Sequence, residues 1–416
     1  MAIAFDAFSN YTGTSNTSFS WTHTPVGTPK AVIVWVVQNA ATTVEANAPT
    51  YGGVTMTLVG SSVNSTGERG RVDCYFLGTK IRTGSQTVEV TVITPPGTYY
   101  RGASCVTLTA SKITQVKTYG TSINSIAIAN PTETLDLGGI SCFCAIGFHS
   151  GQGAVSGITP TTGWTSRYEY DFSSQTYGIY TYDTINSANV ACGWTQTSDD
   201  AIAVSIAVME YQGSTTQLET SCGSGDCQGA TNGTFSNTGT SMYVGNLSAS
   251  DYPCKAWMPF TIDLPKDRLI ETATLKLRAS SSYSSGTVTL RVGCENADNP
   301  SGPTTWSDLN GRSLTSLYTV FVPGNTTAGS EYTANITNAV QQILERAGWS
   351  ANNTLAVLVH DNGSDLNIVR EFATEENTSY VQAKLVIDHY APPAASTGIP
   401  TINVEINSGI SMISGG

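Results

Sequence analysis

The chain has 416 residues, of which 12% are charged, with 19 basic against 31 acidic side chains and a formal net charge of −12. That is about half the usual globular share of charge, and its sign excludes a basic nucleic-acid groove as a bulk property. Hydrophobic residues make up 40%, enough for packed cores, while no apolar run approaches the ~20 residues of a membrane-spanning helix.

The chain opens Met1-Ala-Ile-Ala-Phe-Asp6, without a basic segment ahead of an apolar core, so no signal peptide is expected there. From Phe5 to about Tyr211 strand follows strand. Ser18-Phe-Ser-Trp-Thr alternates, and Ala31-Val-Ile-Val-Trp-Val-Val is a continuous apolar run of buried-strand length. Val54–Val59, Val72–Leu77 and Thr87-Val-Glu-Val-Thr-Val follow, the last with one wet and one dry face. Further strands are expected over Ala103–Ala110, Ile140–Phe148, Tyr177–Tyr182 and Ile202–Tyr211. Gly- and Pro-bearing turns at this spacing predict a β-sandwich or jelly roll over 1–211.

Gln212 to about Gly239 shifts to Gly, Ser, Thr and Asn and is expected to be a junction. A second β domain is expected over 240–390, with strands around Cys254–Ile262, Ala273–Arg278, Val288–Val292, Leu355–His360 and Val381–Ile387. Ile336, Val340, Ile343, Leu344 and Ala347 fall at helical spacing, with Gly348 as the stop, so one short helix is predicted. The fold class is therefore all-β: two tandem sandwich or jelly-roll domains and an extended C-terminal tail over 391–416. In that tail Ala391-Pro-Pro-Ala is a stiff linker. Ile402, Val404 and Ile406 then alternate with Asn403 and Glu405, and Ile410 follows. A lone one-faced strand cannot satisfy its own backbone, so these four residues are expected to carry assembly, by docking on a sheet.

Nine cysteines cannot all pair within one chain. Cys74, Cys105, Cys142, Cys144 and Cys192 lie in apolar runs and read as small buried thiols. Cys222 and Cys227 bracket a Gly-Ser-Gly-Asp loop that suits a small disulfide or half a metal site, though a second ligand pair at zinc spacing is missing. His23, His149, His360 and His389 are far apart and read as structural or surface residues. No Gly-x-Ser-x-Gly elbow, phosphate loop or His-Glu-x-x-His pattern occurs, so the chain is not expected to be an enzyme. Glu371, Glu375, Glu376 and Asp361 read as solvated edge carboxylates.

Asp361, Asn362 and Asp365 cluster oxygen ligands around a glycine turn, a pattern that suits a hard cation such as calcium and that a plain Asn-Gly turn explains equally. No other cofactor is expected. Trp164, Tyr168, Tyr170 and Trp306 are candidate glycan or interface aromatics, since Trp and Tyr combine contact area with a polar tip; core packing is the alternative.

Two resemblances attach to particular residues. Tyr51-Gly-Gly-Val-Thr-Met-Thr-Leu-Val-Gly, Tyr75-Phe-Leu-Gly and Thr83-Gly-Ser-Gln-Thr-Val-Glu-Val-Thr-Val resemble a β-sandwich module of phage structural and bacterial surface proteins. Ala256-Trp-Met-Pro-Phe-Thr-Ile-Asp-Leu-Pro, Ile270-Glu-Thr-Ala-Thr-Leu-Lys-Leu, Thr305-Trp306, Arg346-Ala-Gly-Trp and Glu371-Phe372 resemble the DNRLRE-like jelly-roll family. The residues that give that family its name are replaced here by Asp267-Arg-Leu-Ile. Together they imply a structural virion protein of a tailed bacteriophage, as capsid decoration or a tail or fibre component. It would be assembled in the host cytoplasm and displayed on the virion surface. Its partners would be copies of itself and other virion proteins, without nucleic acid or membrane. The alternative implied is a carbohydrate-binding adhesin with a surface glycan as partner.

Overall fold

Ala31-Val-Ile-Val-Trp-Val-Val has no polar side to turn to water, and the fold buries both of its faces. The computed structural model describes residues 3–390 apart from 15–17, 40–46, 65–69, 92–99, 152–156, 173–174 and 249–251. In it this run lies in strand Ala31–Asn39, at the centre of a five-stranded antiparallel sheet. The order is Ala4–Thr14, Tyr100–Thr109, Ala31–Asn39, Gly70–Leu77, Thr57–Asn64. Val32, Val34 and Val36 pack against Phe19, Val88 and Val90. Those three come from a smaller sheet of Ser18–His23, Gln86–Thr91, Thr50–Tyr51 and Val54–Thr55. Gly52-Gly53 makes a tight hairpin here: Tyr51 pairs with Val54, and the two glycines take φ of 56° and 80°.

The opposite face, with Ile33, Trp35 and Val37, corrects the expectation of one sandwich over 1–211. It packs on a second large sheet, ordered Thr114–Gly120, Asp199–Glu210, Cys142–Ser150, Gln175–Asn186, Thr165–Phe172. Asn124–Ile128 also pairs with Asp199–Glu210. A three-stranded sheet, Thr132–Leu135, Val190–Thr195 and Thr159–Pro160, covers this sheet's far side through Leu135, Cys192 and Trp194.

Count residues 50–55 and 114–128 each as one strand. Both sandwiches then read 1-8-3-6-5 across the large sheet and 2-7-4 across the small one, the order of a jelly roll. The first half is thus a structural repeat. The corresponding turn glycines Gly53 and Gly163 take φ of 80° and 90°. Glycine also lets the two sandwiches close on each other. Trp35 covers Gly147, where a Cβ would lie 2.3 Å from its ring, and Tyr177 covers Gly102, where the distance would be 2.5 Å. The Trp35 indole donates across the contact to the Val204 carbonyl at 3.0 Å.

The third sandwich is also a jelly roll. One sheet runs Thr215–Ser221, Lys384–Tyr390, Ile270–Arg278, Glu331–Asn335. The pair Ser241–Asn246 and Ile368–Ala373 abuts it through the bridge from Ala279 to Phe372. The facing sheet runs Phe235–Ser236, Cys227–Ala230, Cys254–Ile262, Asn353–Asp361, Leu290–Cys294, Thr319–Phe321. Met258, Phe260, Leu275, Leu277, Val357 and Leu385 fill the space between.

Three expectations are corrected in this part of the chain. Residues 212–239 are no free junction, because strands Thr215–Ser221 and Cys227–Ala230 belong to the two sheets. The helix forms over Thr337–Leu344 but ends at its C-cap Glu345, short of Gly348. Gly348 instead lies where a Cβ would meet Asp298 at 2.4 Å. A second helix, Trp306–Gly311, is present, its first turn capped by Thr305 Oγ1 accepting from the Asp308 N–H.

The third sandwich is tied directly to the first two. Glu271 accepts from Lys30 Nζ at 3.0 Å, from the Ile113 N–H at 2.8 Å and from the Tyr390 hydroxyl. Lys80 pairs with Glu345, and Asn338 Nδ2 donates to the Ile81 carbonyl at 3.1 Å. Tyr211 and Tyr390 pack with ring centroids 4.5 Å apart.

Candidate functional site

The nucleophiles and imidazoles are placed for packing. All nine cysteines are buried free thiols, Cys222 and Cys227 included, so the small disulfide is not formed. Burial pushes the thiols up, Cys142 to about 11, which holds them as inert S–H groups. His23 is buried between Ser9 Oγ, 2.7 Å from Nδ1, and Thr107 Oγ1, 3.1 Å from Nε2. Burial lowers it to about 4, against the opposing pull of Asp6. His149 lies in strand Cys142–Ser150, with Nε2 3.0 Å from Gln175 Oε1. His360 is likewise lowered to about 4 by burial, with Lys255 and Arg291 adding to the effect.

The proposed cation turn uses its oxygens on the protein itself. Asp361 accepts from the N–H groups of Gly363 and Ser364, both at 3.3 Å. Asn362 Oδ1 accepts from Arg291 Nε at 2.7 Å, and Asp365 Oδ2 from the Thr287 N–H at 2.6 Å. The three side chains are spent on four separate partners. Among the described residues no group of three or more His, Cys, Asp or Glu side chains is arranged to hold a metal ion.

The four named aromatics do not share a surface. Trp164 is buried in the core of the second sandwich, donating to the Ala191 carbonyl at 2.9 Å. Trp306 is half-buried at the start of its helix, over Gly229, where a Cβ would touch its ring at 2.5 Å. Tyr168 and Tyr170 stack on edge strand Thr165–Phe172, centroids 6.2 Å apart and planes 8° apart. Of the four, Tyr170 alone is exposed. Residues Ile402, Val404, Ile406 and Ile410 lie outside the described residues.

Two features emerge only when the strands are folded together. The first is a cleft of about 360 Å³ between the first and third sandwiches, lined by Lys30, Lys80, Glu271, Asn335 and Asn338 among others. Through Thr83, Thr319 and Asn338 it joins a recess of about 380 Å³ that ends at Tyr318 and Val320. Edge strand Thr319–Phe321 borders this recess. Tyr318, Val320 and Val322 stand 42%, 54% and 53% exposed at alternating positions, while Leu317 is buried and Phe321 packs on the core. Alternation had placed no strand here, because three residues are too few to show a period. Arg291 lies opposite Val320 in the ladder, its guanidinium 5.4 Å from the centre of the Tyr318 ring.

The second is a set of carboxylates. Asp226 is 2% exposed, and its Oδ2 accepts from the Glu375 N–H at 3.2 Å. Among the described residues neither Asp226 Oδ1 nor Glu376 Oε2 has a hydrogen-bond partner. Burial, with Glu376 and Glu375 adding their charge, pushes Asp226 up to about 7. The sequence separates these residues by about 150 positions, so spacing held no signal for the cluster. No family model matches this chain, and no curated protein matches it.

Proposed function

We propose that this chain is a structural virion protein of a tailed bacteriophage, a capsid-surface decoration or a tail or fibre component, that acts by protein–protein assembly. One observation carries the reading: three jelly-roll sandwiches lock into a single packed unit and leave an apolar stripe, Tyr318, Val320 and Val322, facing water on an edge strand. A building block needs rigid modules and an unpaired edge, and natural proteins usually blunt such an edge with charge unless it has a partner. Nine reduced thiols fit assembly in a reducing host cytoplasm before display on the virion surface. The partners are copies of this chain and other virion proteins.

The competing reading, a glycan-binding adhesin, is weaker. It needs several aromatics on one face, and of its four candidates one is buried, two are partly covered and one stands exposed.

Deleting Pro400–Gly416 tests assembly directly. In size-exclusion chromatography with light scattering, the full chain is expected to run as a defined multimer. The truncated chain is expected to run as a monomer with unchanged circular dichroism and melting temperature. A truncated chain that assembles like the full one sinks the mechanism.

A further inference from the structure

The edge beside Tyr318 and Val320 has features of a receptor for an extended segment. Strand Thr319–Phe321 closes its sheet, pairing with Leu290–Cys294 on one side and with no strand on the other among the described residues. Among the described residues no strand is laddered to that edge, beside which Thr319 Oγ1 donates to the Asn335 carbonyl, and the outward side chains form an apolar stripe with a period of two. Cations border the stripe: Arg291 beside Tyr318, and Arg82, whose Nη2 donates to the Ser316 carbonyl at 3.0 Å. On a chain of net charge −12 this is a local departure, and it selects a partner that is apolar at alternate positions and bears an acidic rather than a basic group.

The chain contains such a sequence. Ile402, Val404 and Ile406 alternate with Asn403 and Glu405, and Glu405 is the only charged residue in 391–416. The approach is favourable as well. Tyr390, the last described residue, places its hydroxyl on Glu271, which lines the cleft that opens into the recess at Val320. Ile402 lies twelve residues further on, a reach of at most about 40 Å.

We propose that strand Thr319–Phe321 is the docking site for the Ile402–Ile406 segment, which adds to the sheet with its isoleucines and valine against Tyr318, Val320 and Val322. This deepens the assembly reading above by naming the surface that receives the tail, and it rests on that reading for the tail's importance.

The test uses the full chain. Val320→Cys combined with Val404→Cys is expected to give a disulfide-linked product under mild oxidation. The single variants are expected to give none, because the native thiols are buried. Val381→Cys with Val404→Cys, whose first position is 50% exposed on a different part of the third sandwich, is the control and is expected to stay unlinked. Val320→Asp is expected to weaken self-association about tenfold or more at an unchanged melting temperature, while Val320→Thr is expected to assemble normally. A link between two chains supports both the docking site and assembly by the tail. A link within one chain supports the docking site and overturns tail-mediated assembly. No link, equal linking of the control, or normal assembly of Val320→Asp overturns the docking site and leaves the assembly reading to the truncation experiment.

Discussion

Asp226 shows how the fold sets the chemistry of a single residue. Its carboxyl is buried beside Glu376 and Glu375, with one oxygen lacking a donor among the described residues, and it holds a proton up to about pH 7. A carboxyl raised in the folded state adds stability below the ordinary carboxylate range, and that contribution is lost as pH rises through about 7. Asp226→Asn, neutral at every pH, is therefore expected to melt close to the native chain at pH 4 and above it at pH 8. Thermal melts across that range check this, and equal differences at both ends would rule out the buried proton. His23 and His360 are lowered for the same reason, yet nothing near them in sequence foretold it.

Among the elements, the central strands carry the arrangement. Ala31–Asn39 and Cys142–Ser150 are buried on both faces because each is sandwiched between a small sheet and the other large sheet. The unbroken apolar run Ala31–Val37 foretold double burial but did not say what would cover each face. The close approach depends on Gly147, whose backbone is ordinary and whose missing Cβ leaves room for Trp35. Gly147→Ala is expected to destabilise the chain by about 1–3 kcal/mol through overpacking alone. Denaturant unfolding measures it, and Trp35→Leu in the same chain should recover part of the loss. A neutral Gly147→Ala would mean that the two sheets do not meet as described. The helices divide the same way: Thr337–Leu344 announces itself through Val340, Ile343 and Leu344, whereas six-residue Trp306–Gly311 has only Thr305 and Asp308 to mark its start.

At the scale of the whole molecule, Glu271 is the fastening between the third sandwich and the others. It satisfies the Ile113 N–H, the Lys30 ammonium and the Tyr390 hydroxyl together, from a largely buried position. Glu271→Ala leaves those donors unmatched, at a cost of about 1–3 kcal/mol for a buried group. The expected outcome is two calorimetric transitions where the native chain shows one, with faster proteolysis at residues 212–214. Glu271→Gln, which keeps an acceptor, should fall between the two. One unchanged transition in Glu271→Ala would show that the sandwiches are coupled by other contacts.

The all-β class, the Gly52-Gly53 hairpin, five strands of the third sandwich and the burial of Cys74, Cys105, Cys142, Cys144 and Cys192 were legible in the sequence. These depend on side-chain alternation and local backbone freedom, both local properties. Tertiary structure alone decided that 1–211 is two sandwiches, that 212–239 pairs into the third, and that Trp164 is core. It also decided that Asp226 meets Glu376 and that an apolar stripe lies beside an interdomain cleft. Each of these turns on which distant strands become neighbours, and a period of two carries no information about the identity of the strand alongside.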